Sequence, residues 1–181
     1  MTGAVAGGAF GGEAIPGSGA EALAGDDLTP SPARVASTAV DIHEIAPEDS
    51  RLPDVFEVMG ELRPHLSFEQ LRELYVKTRP DGYRVVGVFD GDSCRAVAGY
   101  RIMTNLISGK HMYVDDLVTA EKWRSHGYGR LLNKYLTELA RNEGCTSVQL
   151  DSATHRRDAH RFYFRERYSI RSFHFVRPLE R

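Results

Sequence analysis

Cysteines and long apolar runs are scarce in this chain of 181 residues, and each scarcity excludes a class of protein. The two cysteines, Cys94 and Cys145, lie far apart, so they provide neither a disulfide framework nor the ligand spacing of a zinc site. No apolar stretch approaches the roughly 20 residues that a membrane-spanning helix needs, and the first residues lack the basic and apolar regions of a secretory signal. We therefore predict a cytoplasmic protein with reduced thiols and no membrane association.

A strong charge of either sign is also missing, since the formal net charge is -2. This balance gives no overall attraction to nucleic acid or to an anionic membrane. The seven histidines are scattered, and His155 and His160 do not share one helical face, so no metal is expected. The charge is unevenly distributed along the chain: residues 121–181 carry 13 Lys and Arg against 7 Asp and Glu, whereas residues 37–120 carry 9 against 14.

The composition divides the chain into two parts. Residues 1–36 consist mainly of Gly, Ala, Pro and Ser, and Phe10 is their only aromatic residue. Such a segment buries too little apolar surface to offset the entropy lost on ordering, which predicts a disordered extension. Residues 37–181 have the regular apolar patterns of one globular domain.

Apolar periodicity and turn signals predict the elements of this domain. Strands are expected over 37–46, 82–90, 93–106, 111–119, 146–152 and 168–179, and helices over 47–66, 67–79, 128–143 and 156–167. The order β-α-α-β-β-β-α-β-α-β predicts an α/β (mixed α+β) fold, with one mostly antiparallel sheet and helices on both faces. The unit 111–152 should place two parallel strands on either side of a crossover helix.

The motif RSHGYG at residues 124–129 is the most informative segment. It follows the strand-like YVDDLVT and opens an amphipathic helical run, and a glycine turn into a helix N-terminus offers unpaired N–H groups and a favourable dipole to an anion. The dinucleotide fingerprint is not matched, because Leu132 occupies the position of its third glycine, and no P-loop is present. The motif therefore predicts a site for a phosphate-bearing ligand.

A second motif lies downstream, where Ala159, Phe162 and Tyr163 follow one another at helical spacing. Together the motifs resemble those of the GNAT superfamily of acyl-CoA N-acyltransferases, Q/R-x-x-G-x-G/A and N-x-x-A-x-x-[LF]-Y-x-x-x-G-F. The element order resembles the GNAT fold over roughly residues 39–179. Two positions depart from the pattern: Arg156 replaces the usual Asn, and Arg167-Tyr168 replaces Gly-Phe.

The resemblance implies acetyl-CoA as the acyl donor. Its pyrophosphate would be held by the loop and first helical turn, comprising Arg124, Ser125, His126, Gly127, Tyr128, Gly129 and Arg130. The backbone of Leu117 and Val118 would bond the pantetheine arm, since in the family this strand is bulged and splays from the next one.

The resemblance also implies two catalytic side chains. Tyr163 would protonate the departing thiolate, and the alternative for it is an aromatic core residue. Adjacent strand residues point to opposite faces, so only one of Asp115 and Asp116 should face the acyl centre. Similarity to diamine-acetylating members favours Asp115 as a base acting through water, the alternative being a salt-bridged carboxylate.

The acceptor is expected to be an amine, on a small molecule or a protein. The acidic balance of residues 37–120 favours a cationic amine, and His65 lies where the family builds its acceptor pocket. A homodimer is possible. Two other functions stay open: a catalytically inactive acyl-CoA-binding regulatory domain, and a nucleic-acid-binding module using the Arg-rich segment after residue 155, which we rank lower.

Overall fold

The computed structural model describes residues 40–179, which form one sheet of five strands with four helices. The strands are β1 Val40–Ile45, β2 Arg84–Asp90, β3 Ser93–Asn105, β4 Gly109–Thr119 and β5 Val148–Leu150. The helices are α1 Leu52–Leu62, α2 Phe68–Thr78, α3 Tyr128–Asn142 and α4 Arg157–Arg165. The extension predicted over residues 1–36 lies outside the described residues. No helix between residues 40 and 179 is long and apolar enough to cross a membrane.

The strands follow one another across the sheet in the order β1-β2-β3-β4-β5. Neighbouring strands are antiparallel except for β4 and β5, which are parallel and are connected through α3. The tight turn between β2 and β3 contains Gly91 at a positive φ of 60°, a conformation that a two-residue hairpin turn favours. The predicted fold class, a mixed and mostly antiparallel sheet, is confirmed.

Alternate residues of the central strands enter two separate apolar cores, one on each face of the sheet. Val85 and Val97 pack with α1 and α2, whereas Val86 and Ala98 pack with α3. This period of two is the consequence of the pleated backbone. Burying each such aliphatic side chain stabilises the fold by about 1.5–3 kcal/mol, so the two cores hold helices on both faces as predicted.

One residue of β4 interrupts this alternation. In the pairing of β3 with β4, Gly99 lies opposite Asp116 and Tyr100 lies opposite Val114, so Asp115 is an extra residue without a partner. A bulge of this kind shifts the inside–outside alternation of its strand by one residue. Accordingly Val114 belongs to the core beneath α3, whereas Val118 belongs to the core beneath α1 and α2.

The strand predicted over residues 168–179 is wrong for the single chain. These residues form neither helix nor strand, and Phe173 and Phe175 are 80% and 90% exposed. A strand is stable when a neighbour pairs with its backbone and at least one face is covered. Within residues 40–179 this segment has neither, and the sheet ends at β5.

Candidate active site

A cavity of about 540 Å³ opens where β4 and β5 diverge. The two strands pair only from Met112 to Val114 and from Val148 to Leu150, although β4 continues to Thr119. The β5 side of residues 115–119 therefore has no strand partner within the described residues, and its backbone groups face the opening. The cavity is lined by residues of α1, α2, β3 and β4, by the end of β5 and the segment after it, and by α4. The predicted bulge and splay of β4 are thus present, and the bulge lies at Asp115.

Asp115 and Asp116 both line this cavity, contrary to the expectation that only one of them would. The reason is the bulge: Asp115 precedes the shift in alternation and Asp116 follows it, so the two neighbours project to the same side. Asp116 is 9% exposed and Asp115 is half-buried. Two carboxylates therefore lie side by side at the open strand edge.

Each carboxylate is held by its own arginine. Asp115 accepts two hydrogen bonds from the guanidinium of Arg101, of which Nε to Oδ2 is 3.1 Å. Asp116 accepts from Arg63, with Nε 2.9 Å and Nη2 2.6 Å from Oδ1. Paired guanidinium–carboxylate bonds are stronger than neutral ones and fix both partners. The pairs also cancel the charge that two adjacent carboxylates would otherwise place in the cavity.

Tyr83 completes the environment of Asp116 by donating its hydroxyl proton to Oδ2 at 2.6 Å. Burial, together with the nearby charge of Asp116, raises the pKa of Tyr83 far above the ordinary tyrosine value. The ring reaches this position by crossing the backbone of Gly99, where an added Cβ would lie 1.9 Å from the Tyr83 hydroxyl oxygen. Position 99 therefore requires glycine because the Tyr83 side chain approaches the backbone there, and not because of the backbone conformation.

Tyr163 lies on α4 and lines the same cavity from the other side. Its side chain is half-buried, and its hydroxyl makes no hydrogen bond to any residue between 40 and 179. Burial raises the pKa of Tyr163, and the positive charge of Arg156, which also lines the cavity, opposes that shift. A phenol with a raised pKa keeps its proton at neutral pH, which suits a proton donor.

The loop that follows β4 has the geometry expected of an anion site. Ser125 and Gly127 have positive φ values of 66° and 91°, and Gly127 is the N-cap of α3. The first backbone bond that closes the helix runs from Leu131 N–H to Gly127 O at 2.9 Å. The N–H groups of Tyr128, Gly129 and Arg130 therefore project from the helix end without an intrahelical acceptor.

Contacts to the neighbouring elements hold this loop in place. A Cβ at Gly129 would lie 3.0 Å from the hydroxyl oxygen of Thr119, so the helix starts directly against the end of β4. The guanidinium of Arg95 covers the Trp123 ring at 4.0 Å, and the Tyr128 hydroxyl donates to Asp90 at 2.6 Å. The loop is therefore shaped before any ligand arrives.

The charged side chains of the loop are already partnered. Arg124 pairs with Glu61 at 3.7 Å and with Glu121 at 3.5 Å, and Nδ1 of His126 lies 2.8 Å from the Arg124 carbonyl oxygen. Arg130 lies 3.8 Å from Glu166 but is largely exposed. These surface pairs are weak, so a ligand can recruit both arginines, whereas the backbone N–H groups need no rearrangement.

Comparison with known proteins identifies the family of the chain. Residues 41–167 match the model of the acetyltransferase (GNAT) family. An uncharacterized N-acetyltransferase of Bacillus subtilis, YhdJ, is 33% identical over 126 residues, which cover 68% of this chain and 89% of that protein.

The chain belongs to the GNAT acetyltransferase family.

Solved structures show the same fold. An acetyltransferase described as putative, from Agrobacterium tumefaciens, superposes with a TM-score of 0.66 at 22% identity, covering 77% of this chain and 99% of its own. An acetyltransferase of Trypanosoma brucei gives a TM-score of 0.64 at 22% identity, covering 78% and 100%. At this identity the likeness establishes the fold alone, so the roles of individual residues depend on the cavity described above.

Sequence reasoning missed most of the polar lining of this GNAT cavity. Arg63, Tyr83 and Arg101 were not predicted as site residues, and Tyr113 with its partner Asp151, at 2.6 Å, was missed as well. The sequence signal that could have identified these residues was a charged or phenolic side chain inside an otherwise apolar strand or at its start. Arg101 in β3 is an example. His65 is exposed and is not among the cavity-lining residues. Within residues 40–179 no group of three His, Cys, Asp or Glu side chains is placed to hold a metal ion.

Replacing Gly99 with alanine should destabilise the domain, because the new Cβ displaces Tyr83 and removes its bond to Asp116. We expect a loss of about 1–3 kcal/mol in the free energy of unfolding, measured by urea denaturation. Gly60→Ala is the matched control, since its Cβ meets nothing within 4 Å in the middle of α1. That change should raise the free energy of unfolding by about 0.5–1 kcal/mol. Equal effects of the two substitutions would contradict the assigned position of Tyr83.

Proposed function

We propose that this GNAT protein is an N-acetyltransferase that moves an acetyl group from acetyl-CoA to a primary amine. The observation that carries the proposal is that two features line one cavity. One is the protonated phenol of Tyr163, which makes no hydrogen bond within residues 40–179, and the other is the open edge of β4 beside Asp115. The anion site at the start of α3 adjoins the end of the same strand. A donor and an acceptor can therefore be bound together.

The coenzyme would be anchored at the start of α3 and along β4. The exposed N–H groups after Gly127 suit its pyrophosphate, and the unpaired edge at Leu117 and Val118 suits the amides of the pantetheine arm. A helix terminus contributes about 0.3–2 kcal/mol, whereas micromolar binding needs about 8 kcal/mol. The strand edge and the apolar cavity wall must therefore supply most of the affinity.

The reaction would proceed by direct attack in a ternary complex. The amine nitrogen forms a bond to the thioester carbonyl carbon, the carbon–sulfur bond breaks, and the thiolate takes the phenolic proton of Tyr163. An acceptor that arrives protonated first gives one proton through a water molecule to Asp115, which passes it to solvent. After the attack the nitrogen loses its second proton to solvent, and solvent restores the proton of Tyr163. Backbone N–H groups on the β4 edge would polarise the carbonyl oxygen during attack.

The cavity favours an amine with an apolar body as the acceptor. Its three carboxylates, Asp115, Asp116 and Asp151, are matched by three guanidinium groups, so the acidic balance of residues 37–120 does not produce a strongly negative cavity. The opposite wall is apolar and consists of Phe56, Met59, Leu62, Leu66, Leu71 and Leu74. We therefore propose that a single cationic amino group binds near Asp115 while the rest of the acceptor packs against that wall.

Replacing Gly127 with alanine should weaken coenzyme binding, because the positive φ of 91° strains an alanine and distorts the turn that aims the N–H groups. Gly144→Ala is the matched control: its φ is 72°, its Cβ also meets nothing within 4 Å, and it lies at the other end of α3. Both variants should lose about 1 kcal/mol of stability. Calorimetry with coenzyme A should show weaker binding for Gly127→Ala alone, and equal affinity in both variants would remove the loop from the site.

Tyr163→Phe should lower kcat by about 100-fold or more, because the thiolate then leaves without a proton donor. Binding of acetyl-CoA should be retained, since the ring remains. Tyr168→Phe is the control: its ring centroid lies 5.7 Å from that of Tyr163, but its hydroxyl donates to Asn133 outside the cavity. The rate of thiol release with a panel of amines measures the turnover of both variants. Unchanged turnover in Tyr163→Phe would exclude the acid role, and binding without turnover in the parent protein would favour a regulatory acyl-CoA-binding domain.

Asp115→Asn should lower kcat/KM by about 100-fold at neutral pH, where the acceptor arrives protonated. The deficit should shrink as the pH rises through the pKa of the amine, because a deprotonated acceptor no longer has to give a proton to Asp115 before it attacks. Asp116→Asn should instead lower the free energy of unfolding, since Arg63 and Tyr83 lose their charged acceptor. The rates of the parent protein, Asp115→Asn and Asp116→Asn, measured over a range of pH, check the prediction for Asp115. If Asp115→Asn is slower by the same factor at every pH, Asp115 does not act as a base.

A further inference from the structure

The charged side chains of the cavity balance in number but not in pairing. Its lining includes three carboxylates and three guanidinium groups. Asp115 is bound by Arg101, and Asp116 is bound by Arg63. The third guanidinium group belongs to Arg156, which is the N-cap of α4. The pairing of Arg156 therefore determines which charge the cavity presents to a ligand.

The remaining carboxylate of the lining does not bind Arg156. Oδ2 of Asp151 accepts a hydrogen bond from the Tyr113 hydroxyl at 2.6 Å and lies 2.9 Å from Nδ1 of His174. Arg156 makes no ion pair and no side-chain hydrogen bond with any residue between 40 and 179. Within that part of the chain, its guanidinium group is the one cation of the lining that no carboxylate neutralises.

The nearest acidic residue of α4 does not neutralise Arg156 either. Asp158, in the first turn of the helix, pairs with Arg161 at 3.2 Å, and both side chains are largely exposed. The start of α4 also has no side-chain cap. The segment that carries Arg156 therefore brings no anion of its own to the cavity.

Arg156 is close enough to Tyr163 to act on the phenol electrostatically. The two residues are seven positions apart, which is close to two helical turns, and both line the cavity. The positive charge of Arg156 opposes the rise that burial causes in the pKa of Tyr163. A ligand that lies beside the phenol is therefore also within the electrostatic range of the guanidinium group.

The phosphates of the coenzyme are expected at a different place. The proposed anion site is the loop and first helical turn at residues 124–130, and none of these residues lines the cavity. Arg124 and Arg130 are available to the phosphates there. An acetyl group carries no charge. With acetyl-CoA as the donor, an anion that binds Arg156 therefore has to belong to the acceptor.

A bound anion would replace the water that Arg156 loses when the cavity fills. Removing a cation from water without a partner is costly, whereas a carboxylate can accept two parallel N–H bonds from a guanidinium group and is held in a defined geometry. Exposed arginines commonly remain solvated, but this one lines the cavity that the acceptor must enter. An acceptor without an anion would leave the guanidinium group partly desolvated and unpaired.

We propose that the acceptor carries a carboxylate as well as its amino group, and that the guanidinium group of Arg156 binds this carboxylate. The inference rests on the proposed function and narrows its acceptor. The amino group binds near Asp115, the apolar body packs against the wall formed by α1 and α2, and the carboxylate lies at the start of α4. The acceptor is thus an apolar aminocarboxylate, and Arg156 distinguishes it from a simple monoamine or a polyamine.

The first test compares acceptors that differ in this charge alone. Apolar α-amino acids and ω-aminocarboxylates are each measured beside their carboxamides, and the rate of thiol release gives kcat/KM. The carboxylate-to-carboxamide ratio of the parent protein should fall by at least about 10-fold in Arg156→Gln, mainly through KM, because the charge pair is lost. Comparing the ratio between two proteins cancels any difference in reactivity between the two amino groups.

Arg157→Gln is the matched control, because Arg157 is the next residue, is also exposed and does not line the cavity. This variant should keep the parent ratio. Arg156→Lys should keep part of it, since the charge remains without the planar fork, and Arg156→Glu should invert it. Calorimetry with coenzyme A should give the parent affinity in all four variants. An unchanged ratio in Arg156→Gln, or equal losses for carboxylates and carboxamides, would overturn the proposal.

A binding measurement separates this inference from the proposed function. If no amine releases thiol, the proposed function fails, and calorimetry of the same acceptors with the coenzyme A complex still tests Arg156. The parent protein should bind carboxylates more tightly than carboxamides, and Arg156→Gln should lose that preference. A parent protein that favours carboxylates in neither readout would overturn the inference.

The last comparison tests the acyl group as the source of the anion. Acetyl-CoA and succinyl-CoA are compared as donors with hexylamine, an acceptor that has no anion. The proposal predicts that Arg156→Gln changes the rates with both donors by the same factor. A preference for succinyl-CoA that disappears in Arg156→Gln would place the anion on the acyl group and overturn its assignment to the acceptor.

Discussion

The extra residue in β4 is the constraint on which the rest of the site depends. Because Asp115 has no partner on β3, the alternation of β4 changes there, and the strand passes from one apolar core to the other. The same residue marks the point at which β4 parts from β5, and beyond it the β5 side of β4 has no strand partner within residues 40–179. The bulge thus lies where the open edge, the neighbouring carboxylates and the mouth of the cavity meet.

The electrostatics of the cavity follow from that arrangement. Two carboxylates on the same side of a strand repel each other. Arg101 from the adjacent strand and Arg63 from the end of α1 offset this repulsion by pairing with them. Tyr83 adds a hydroxyl donor to the more buried member of the pair. The acidic pair is therefore a set of ion pairs that orient the carboxylates, and the same cavity is lined by the phenol of Tyr163, which makes no hydrogen bond to any residue between 40 and 179.

Local signals made most of the fold predictable. Helix α3 begins at Tyr128 as expected, because a glycine turn precedes a strongly amphipathic run, and the turn at Gly91 positions the hairpin of β2 and β3. The position of the bulge, at Asp115, was not predicted, because only the pairing with β3 reveals it. The partners of the carboxylates were missed because Arg63 is 53 residues from Asp116, a separation that no local pattern encodes. Residues 168–179 failed as a strand because pairing depends on a neighbour outside the segment.

The environment of Trp123 has an optical consequence. It is the single tryptophan of the chain, it lies directly before Arg124, and its ring is covered by Arg95 at 4.0 Å and meets the ring of His126 edge to face at 5.6 Å. Its indole nitrogen is buried and has no hydrogen-bond partner among residues 40–179. All intrinsic indole emission therefore comes from the border of the proposed anion site, where the ring lies under the Arg95 guanidinium and beside His126. Trp123 is therefore an intrinsic fluorophore beside the loop that we propose binds the pyrophosphate of the coenzyme.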